Sequence, residues 1–183
     1  MNHFISPEDS FAVEKAIQFL ISEYTKSGHN PKPVILHSLR VGLYLLELGY
    51  EKDIVITAIL HDLIEDSDVT HSDINEKFGS KIADWVLAVS FKSDITDKVE
   101  RYKEMYKRVV LTGRQAVIIK AADLHANSIY IHLVPNYEEQ KALVEKIEFF
   151  ISLTKEYSNE PVINKLKEVY ENEVNRLEKE KGK

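Results

Sequence analysis

An all-α fold is predicted from three observations. Glycine and proline are scarce, six and five in 183 residues, so few positions can break a helix. Apolar residues recur at three- and four-residue spacing along most of the chain. No stretch of convincing period-two alternation interrupts them, so no strand is expected.

The first helix is expected to open at Ser6, a candidate N-cap followed by Pro7 and by Asp9 in the first turn. Phe11, Ala12, Ala16, Phe19 and Leu20 carry its apolar spacing, and Gly28 should end it. "HNPKP" (29–33) reads as a loop, because two prolines forbid a regular helix. A second helix is expected from Val34 to Leu48, and a third from Lys52 to Asp66. A short helix follows, capped by Thr70 and stopped at Gly79, and then another over 80–90. "FKSDITDK" (91–98) reads as a polar loop. Further helices are expected over 98–111, 114–131, 137–157 and 160–180, making one domain over 1–183.

Composition narrows the function. There are no cysteines, which excludes a disulfide framework, thiolate catalysis and a Cys-based zinc site. A cysteine-free chain fits a reducing cytoplasm, the expected location. The net charge of −6 argues against a general binder of nucleic-acid polymers. No apolar run approaches the ~20 residues that span a bilayer. "MNHFISPEDS" has no basic and apolar leader, so no signal peptide is expected.

The chemistry concentrates in "AILHDLIEDSDVT" (58–70). On a continuous helix, Glu65 follows His61 by four positions and Asp62 by three, and Asp66 follows Asp62 by four. Four groups able to ligate a metal or move a proton would share one sector. The plainer reading of Glu65 and Asp66 is a pair of acids closing the helix. His37, near the start of the second helix, and Asp123, an acid inside the apolar "VIIKAADLHANS", are two further candidates. Asp is a poor mid-helix residue, so Asp123 needs a reason to be there. Asn127 lies one turn on and faces the same way. Tyr44, Tyr130 and Trp85 fall at core-like spacing and read as packing, with one free to line a base pocket.

The set H…HD…ED…D resembles the HD-domain superfamily of metal-dependent phosphohydrolases. Within it, the chain is most similar to the hydrolase domain of stringent-response enzymes, which remove pyrophosphate from the 3′ position of guanosine tetra- and pentaphosphate. The matching pieces are "ILHSLRVG" (35–42), "AILHDLIEDSDVT" (58–70), "EKFGSKIADWVLAVS" (76–90) and "IIKAADLHANS" (118–128). They cover about 20–135 and leave the helices over 137–180 to pack on that core.

The resemblance implies an HD-type helical bundle in which His37, His61, Asp62 and Asp123 hold one divalent ion, Mn²⁺. It puts Glu65 and Asp66 at the catalytic acid pair, activating and positioning water. Asn127 and Lys120 would contact the nucleotide's sugar or phosphates. The implied partner is a small-molecule nucleotide, with no polymer, no membrane and no oligomeric state specified.

The guanine-end segment departs from the family. Where the family has an RKSGEPY run, this chain has "TKSGHNPKPVILH" (25–37), with Lys26 or Lys32 taking over part of that contact. Two alternatives follow: an HD phosphatase or phosphodiesterase acting on another nucleotide or phosphorylated metabolite, and a non-catalytic metal- or nucleotide-binding module.

Overall fold

The helix ends are written in side chains. Ser6 Oγ accepts the Asp9 N–H at 3.1 Å, Pro7 follows, and Gly28 ends the helix at φ +64°. Thr70 and Asp73 form a reciprocal capping box. Asp97 Oδ1 accepts from the N–H groups of Val99 and Glu100, so the loop over 91–97 runs straight into a capped helix.

A computed structural model describes residues 6–28 and 33–181. Its ten α-helices are α1 (Pro7–Ser27), α2 (Val34–Glu47), α3 (Lys52–Leu60), α4 (Leu63–Asp66), α5 (His71–Phe78), α6 (Ser80–Val89), α7 (Lys98–Thr112), α8 (Arg114–Ser128), α9 (Tyr137–Leu153) and α10 (Pro161–Lys181). The described residues contain no strand, as expected of an all-α chain. None of these helices is long and apolar enough to cross a membrane.

Two helices form the centre. Every residue of α3 from Ile54 to Leu60 is buried, and so is α8 from Ala116 to Leu124. A helix apolar on all sides must be enclosed on all sides. Accordingly α3 packs on α1, α2, α6 and α8, while α8 also meets α7 and α10. The C-terminal helices cover this core: α10 lies on α8 and α9, held by Arg114 Nε on Glu160 at 2.5 Å. At Gly42 a Cβ would run into the Ile59 side chain, so only glycine lets α2 come this close to α3.

Three expectations need correction. The helix expected over 114–131 ends at Ser128, whose hydroxyl donates back to the His125 carbonyl, and a separate 3-10 turn follows at Ile131–Leu133. α9 ends at Leu153 rather than 157, because Thr154 turns its hydroxyl back onto the carbonyls of Phe150 and Ile151. The helix expected from Lys52 to Asp66 is broken. α3 stops at Leu60, and Asp62 sits at φ −97°, ψ −3°, before α4 begins. The cause is local. His61 Nδ1–H donates to the Ala58 carbonyl at 2.8 Å, the acceptor that a continuing helix would give to the Asp62 N–H. His61 and Asp62 therefore stand at a break, not in one helical sector with Glu65 and Asp66.

Candidate active site

Three segments converge on one point. His37 comes from the first turn of α2, His61 and Asp62 from the break after α3, and Asp123 from inside α8. His37 Nε2 lies 3.1 Å from Asp123 Oδ1 and 3.8 Å from Asp62 Oδ2. His61 Nε2 lies 3.0 Å from Asp62 Oδ1 and 3.5 Å from Asp123 Oδ1. One ligand atom each from His37, His61 and Asp123 falls within 4.8 Å of the others, and Asp62 borders the same point.

The tautomer of His61 decides what the cluster wants. Its ring is 1% exposed. Because Nδ1–H is committed to Ala58, Nε2 presents its lone pair to two carboxylates, and it has no hydrogen-bond partner. A lone pair facing two anions is satisfied only by a cation, a proton or a metal ion. Burial opposes protonation, but Asp62 and Asp123 outweigh it and lift the imidazole to about 10. Imidazole with carboxylate also suits Mn, Zn, Fe or Ni, and a backbone carbonyl on the far ring nitrogen is the usual support of a ligating histidine. The residues fit a divalent ion.

Asp123 is the hub. Lys120 Nζ pairs with its Oδ2 at 2.7 Å, and Asn127 Nδ2 donates to its Oδ1 at 2.6 Å. Burial alone would raise this carboxyl. Lys120, then His37 and His61, hold it well below the usual range. Burial likewise disfavours the Lys120 charge, and Asp123, Glu65 and Asp62 reverse that and raise it. This is the reason for an acid inside an apolar helix: α8 supplies its own counter-charge at i−3 and its own clamp at i+4.

A cavity of about 360 Å³ opens beside the cluster. His37, Asp62, Asp123, Lys120 and Asn127 form one wall, Glu65 and Phe91 the lip, and Pro33, Tyr130 and Lys146 complete it. Glu65 Oε1 accepts the Phe91 N–H at 2.7 Å. Burial, then Asp62, raises its carboxyl, partly offset by Lys120. Arg108 fixes this lip by donating to the carbonyls of Leu87, Ala88 and Ser90.

Positive charges gather on the Phe91 ring. The Phe91 ring carries Arg101 at 4.9 Å, Lys120 at 5.7 Å and Lys146 at 5.9 Å from its centroid. Burial, then Lys120, lowers the Lys146 ammonium to about 8.

The structure thus brings together His37, His61, Asp62, Asp123, Glu65, Asn127 and Lys120. It does not bring in Asp66, which stands off the cavity, close enough to Tyr24 for its charge to act on that hydroxyl. Lys26 pairs with Glu23 at 2.7 Å beside a different hollow, shared with Asp68 and Asp73. Lys32 lies outside the described residues. Tyr130 is no packing residue: it is 40% exposed, lines the cavity and accepts from Arg40 at 2.6 Å. Phe91 and Lys146 were not legible as site residues. Lys146 only flanks the buried stripe of Val144, Ile147 and Phe150, a position that any exposed lysine shares.

A family model described as HD domain matches residues 12–148. The chain belongs to the HD-domain family. Among curated relatives, a guanosine-3′,5′-bis(diphosphate) 3′-pyrophosphohydrolase of Aquifex aeolicus is 27% identical over 156 residues, 84% of this chain and 22% of that protein. One of the same name from Vibrio cholerae is 31% identical over 127 residues, 67% of this chain and 18% of that protein. The chain spans about a fifth of the length of these relatives. A solved metazoan SpoT ortholog, described as hydrolysing ppGpp, superposes with a TM-score of 0.75 at 18% identity, covering 92% of this chain and 97% of the other. A Listeria monocytogenes structure gives 0.64 at 18% identity, covering 73% and 90%. At that identity the superpositions speak for the HD fold.

Proposed function

We propose that this HD domain is a metal-dependent phosphohydrolase that removes pyrophosphate from the 3′ position of guanosine tetra- or pentaphosphate, with Mn²⁺ as its ion. The observation that carries the reading is the His61 Nε2 lone pair, held between two carboxylates at the edge of a cavity whose lip is a third acid. The names of the curated relatives support the substrate.

His37, His61, Asp62 and Asp123 would hold the ion, which when bound polarises a phosphoryl oxygen and makes water easier to deprotonate. Glu65 takes the proton. One of its oxygens is fixed by the Phe91 N–H, and its raised basicity suits a base working near neutral pH. Water adds to the β-phosphorus-bearing chain at the 3′ oxygen's phosphorus, that P–O3′ bond breaks, and pyrophosphate departs while O3′ regains a proton. Lys120 and Asn127 hold Asp123 in place and border the substrate's path. A cytoplasmic location goes with a nucleotide substrate.

A second reading keeps the chemistry and changes the nucleotide. It is favoured by Lys26, whose ion pair with Glu23 beside another hollow leaves the guanine-end contact without one expected cation. The test is hydrolysis by the Mn²⁺-loaded chain of ppGpp and of a nucleotide panel, with Asp62→Ala as control. Pyrophosphate and GDP released from ppGpp, and lost in the control, are expected. Turnover of another nucleotide alone overturns the guanosine assignment, and a fully active control overturns the metal site.

A further inference from the structure

The three cations gathered on the Phe91 ring are unequal. Lys120 is spoken for by Asp123 at 2.7 Å. Lys146 has no ion pair and no hydrogen bond with any described residue. Arg101 is likewise without an acid, and its Nε is buried with no partner. Both stand against the Phe91 ring, and Lys146 also lies 5.5 Å from the Tyr102 centroid. Aromatic faces compensate a cation only in part. Two half-buried positive groups beside a third repel one another and have lost part of their hydration.

Arg101 comes from α7, Lys146 from α9 and Phe91 from the loop between α6 and α7. Among the described residues, none forms an ion pair with Lys146 or Arg101, and Asp123 and Glu65 offset the Lys146 charge only in part. Lys146 lines the same cavity as His37, Asp62 and Glu65.

We propose that Lys146 and Arg101, gathered on Phe91, bind a phosphate group of the substrate other than the one under attack. This rests on the phosphohydrolase reading for what the anion belongs to. The site then selects substrates with two anionic groups, one at the acid–histidine cluster and one at the cation group. A phosphate dianion fits the donors available, because a guanidinium and an ammonium both form charge-assisted bonds to its oxygens. It also removes the repulsion between Lys146, Arg101 and Lys120. A neutral sugar or base leaves that repulsion in place.

The experiment is an NMR titration of the full chain in Mg²⁺ with inorganic phosphate, following Arg101 Nε–H and Lys146 Cε–H. Both signals are expected to move saturably with one shared dissociation constant. Lys146→Met should weaken the Arg101 response about tenfold, the loss of one charge-assisted hydrogen bond, and Lys146→Arg should restore most of it. Should Lys146→Met fail to fold, Arg101→Met with Lys146 as reporter reads the same contact.

Phosphate that shifts only the His37 and His61 rings, or that shifts nothing, overturns the proposal. So does an Arg101 response unchanged by Lys146→Met. In turnover, Lys146→Met should raise KM about tenfold for a substrate with two phosphate groups and leave kcat within about twofold, with no change for a singly phosphorylated one. An equal KM change for both substrates is the overturning result there. A chain that hydrolyses nothing defeats the function proposed above, while the phosphate titration still decides the cation site.

Discussion

The acid–histidine cluster and the cation group on Phe91 solve opposite electrostatic problems, one on each side of the site. On the α2–α3–α8 side every charge has an answer nearby: Asp123 meets Lys120, His37, His61 and Asn127 within 3.5 Å. On the Phe91 side, Arg101 and Lys146 share an aromatic ring and form no ion pair with any described acid. The first side pairs Asp123 internally and leaves Asp62 and the lone pair of His61 for a proton or a metal ion. The second is left incomplete. The acid–histidine side is built to take a cation, and the cationic side to take an anion.

Breaking the first side should have the largest effect. Asp123→Asn leaves Lys120 buried without its anion, so unfolding measurements should show a loss of about 3–5 kcal/mol, the cost of splitting a buried pair. Hydrolysis should fall to background in the same variant. A stable, active Asp123→Asn protein would mean that the hub is elsewhere.

The lip separates chemistry from stability. Glu65→Gln is expected to lower kcat about 10²–10⁴-fold while unfolding changes by less than about 0.5 kcal/mol. Asp66→Asn should cost less in kcat, because Asp66 does not line the cavity. The reverse order in steady-state kinetics would hand the base role to Asp66.

Packing between α2 and α3 can be pried apart without touching a ligand. Gly42→Ala forces a methyl group into Ile59 and should destabilise the protein by about 1–3 kcal/mol. Because His37 rides on α2, affinity for Mn²⁺ should fall with it, which calorimetry can read.

The smallest effect is the most discriminating, since the two sides have pH slopes of opposite sign. In metal-free protein, His61 is raised to about 10 from 6.5; burial resists this and Asp62 and Asp123 prevail. Its stabilising share is complete below 6.5 and is lost as pH climbs to about 10. Lys146 is lowered from 10.5 to about 8 by burial and by Lys120, with Arg101 acting the same way and Asp123 and Glu65 opposing. Between those values the unfolded chain binds the proton and the folded chain does not, so this share of stability rises with pH. In Lys146→Met only the falling limb should remain in denaturant midpoints measured over pH 6–11.

The sequence was most informative where partners lie close in the chain. The helix ends at Ser6, Gly28, Thr70 and Gly79 could be read from their caps, because a cap is a contact over two or three residues. His61–Asp62 and Lys120–Asp123–Asn127 could be read because their spacing is their geometry. The break after Leu60 could not, since His61 ring N–H competes for a carbonyl that propensity alone assigns to the helix. Lys146 and Phe91 were hidden for a different reason. They are 55 positions apart in numbering, and only the packing of α9 beside α7 brings them together.

One ring does two jobs. Through Nδ1, His61 holds the chain open after α3, and its Nε2 faces the place where an ion would sit. Occupancy of the centre and the conformation of the next four residues are therefore thermodynamically coupled, and each must report on the other. Loading the ion should slow amide hydrogen exchange at Leu63–Asp66, in a segment that contributes Glu65 to the lip. The ion would thus add a second restraint on a base that the Phe91 N–H already holds by one oxygen.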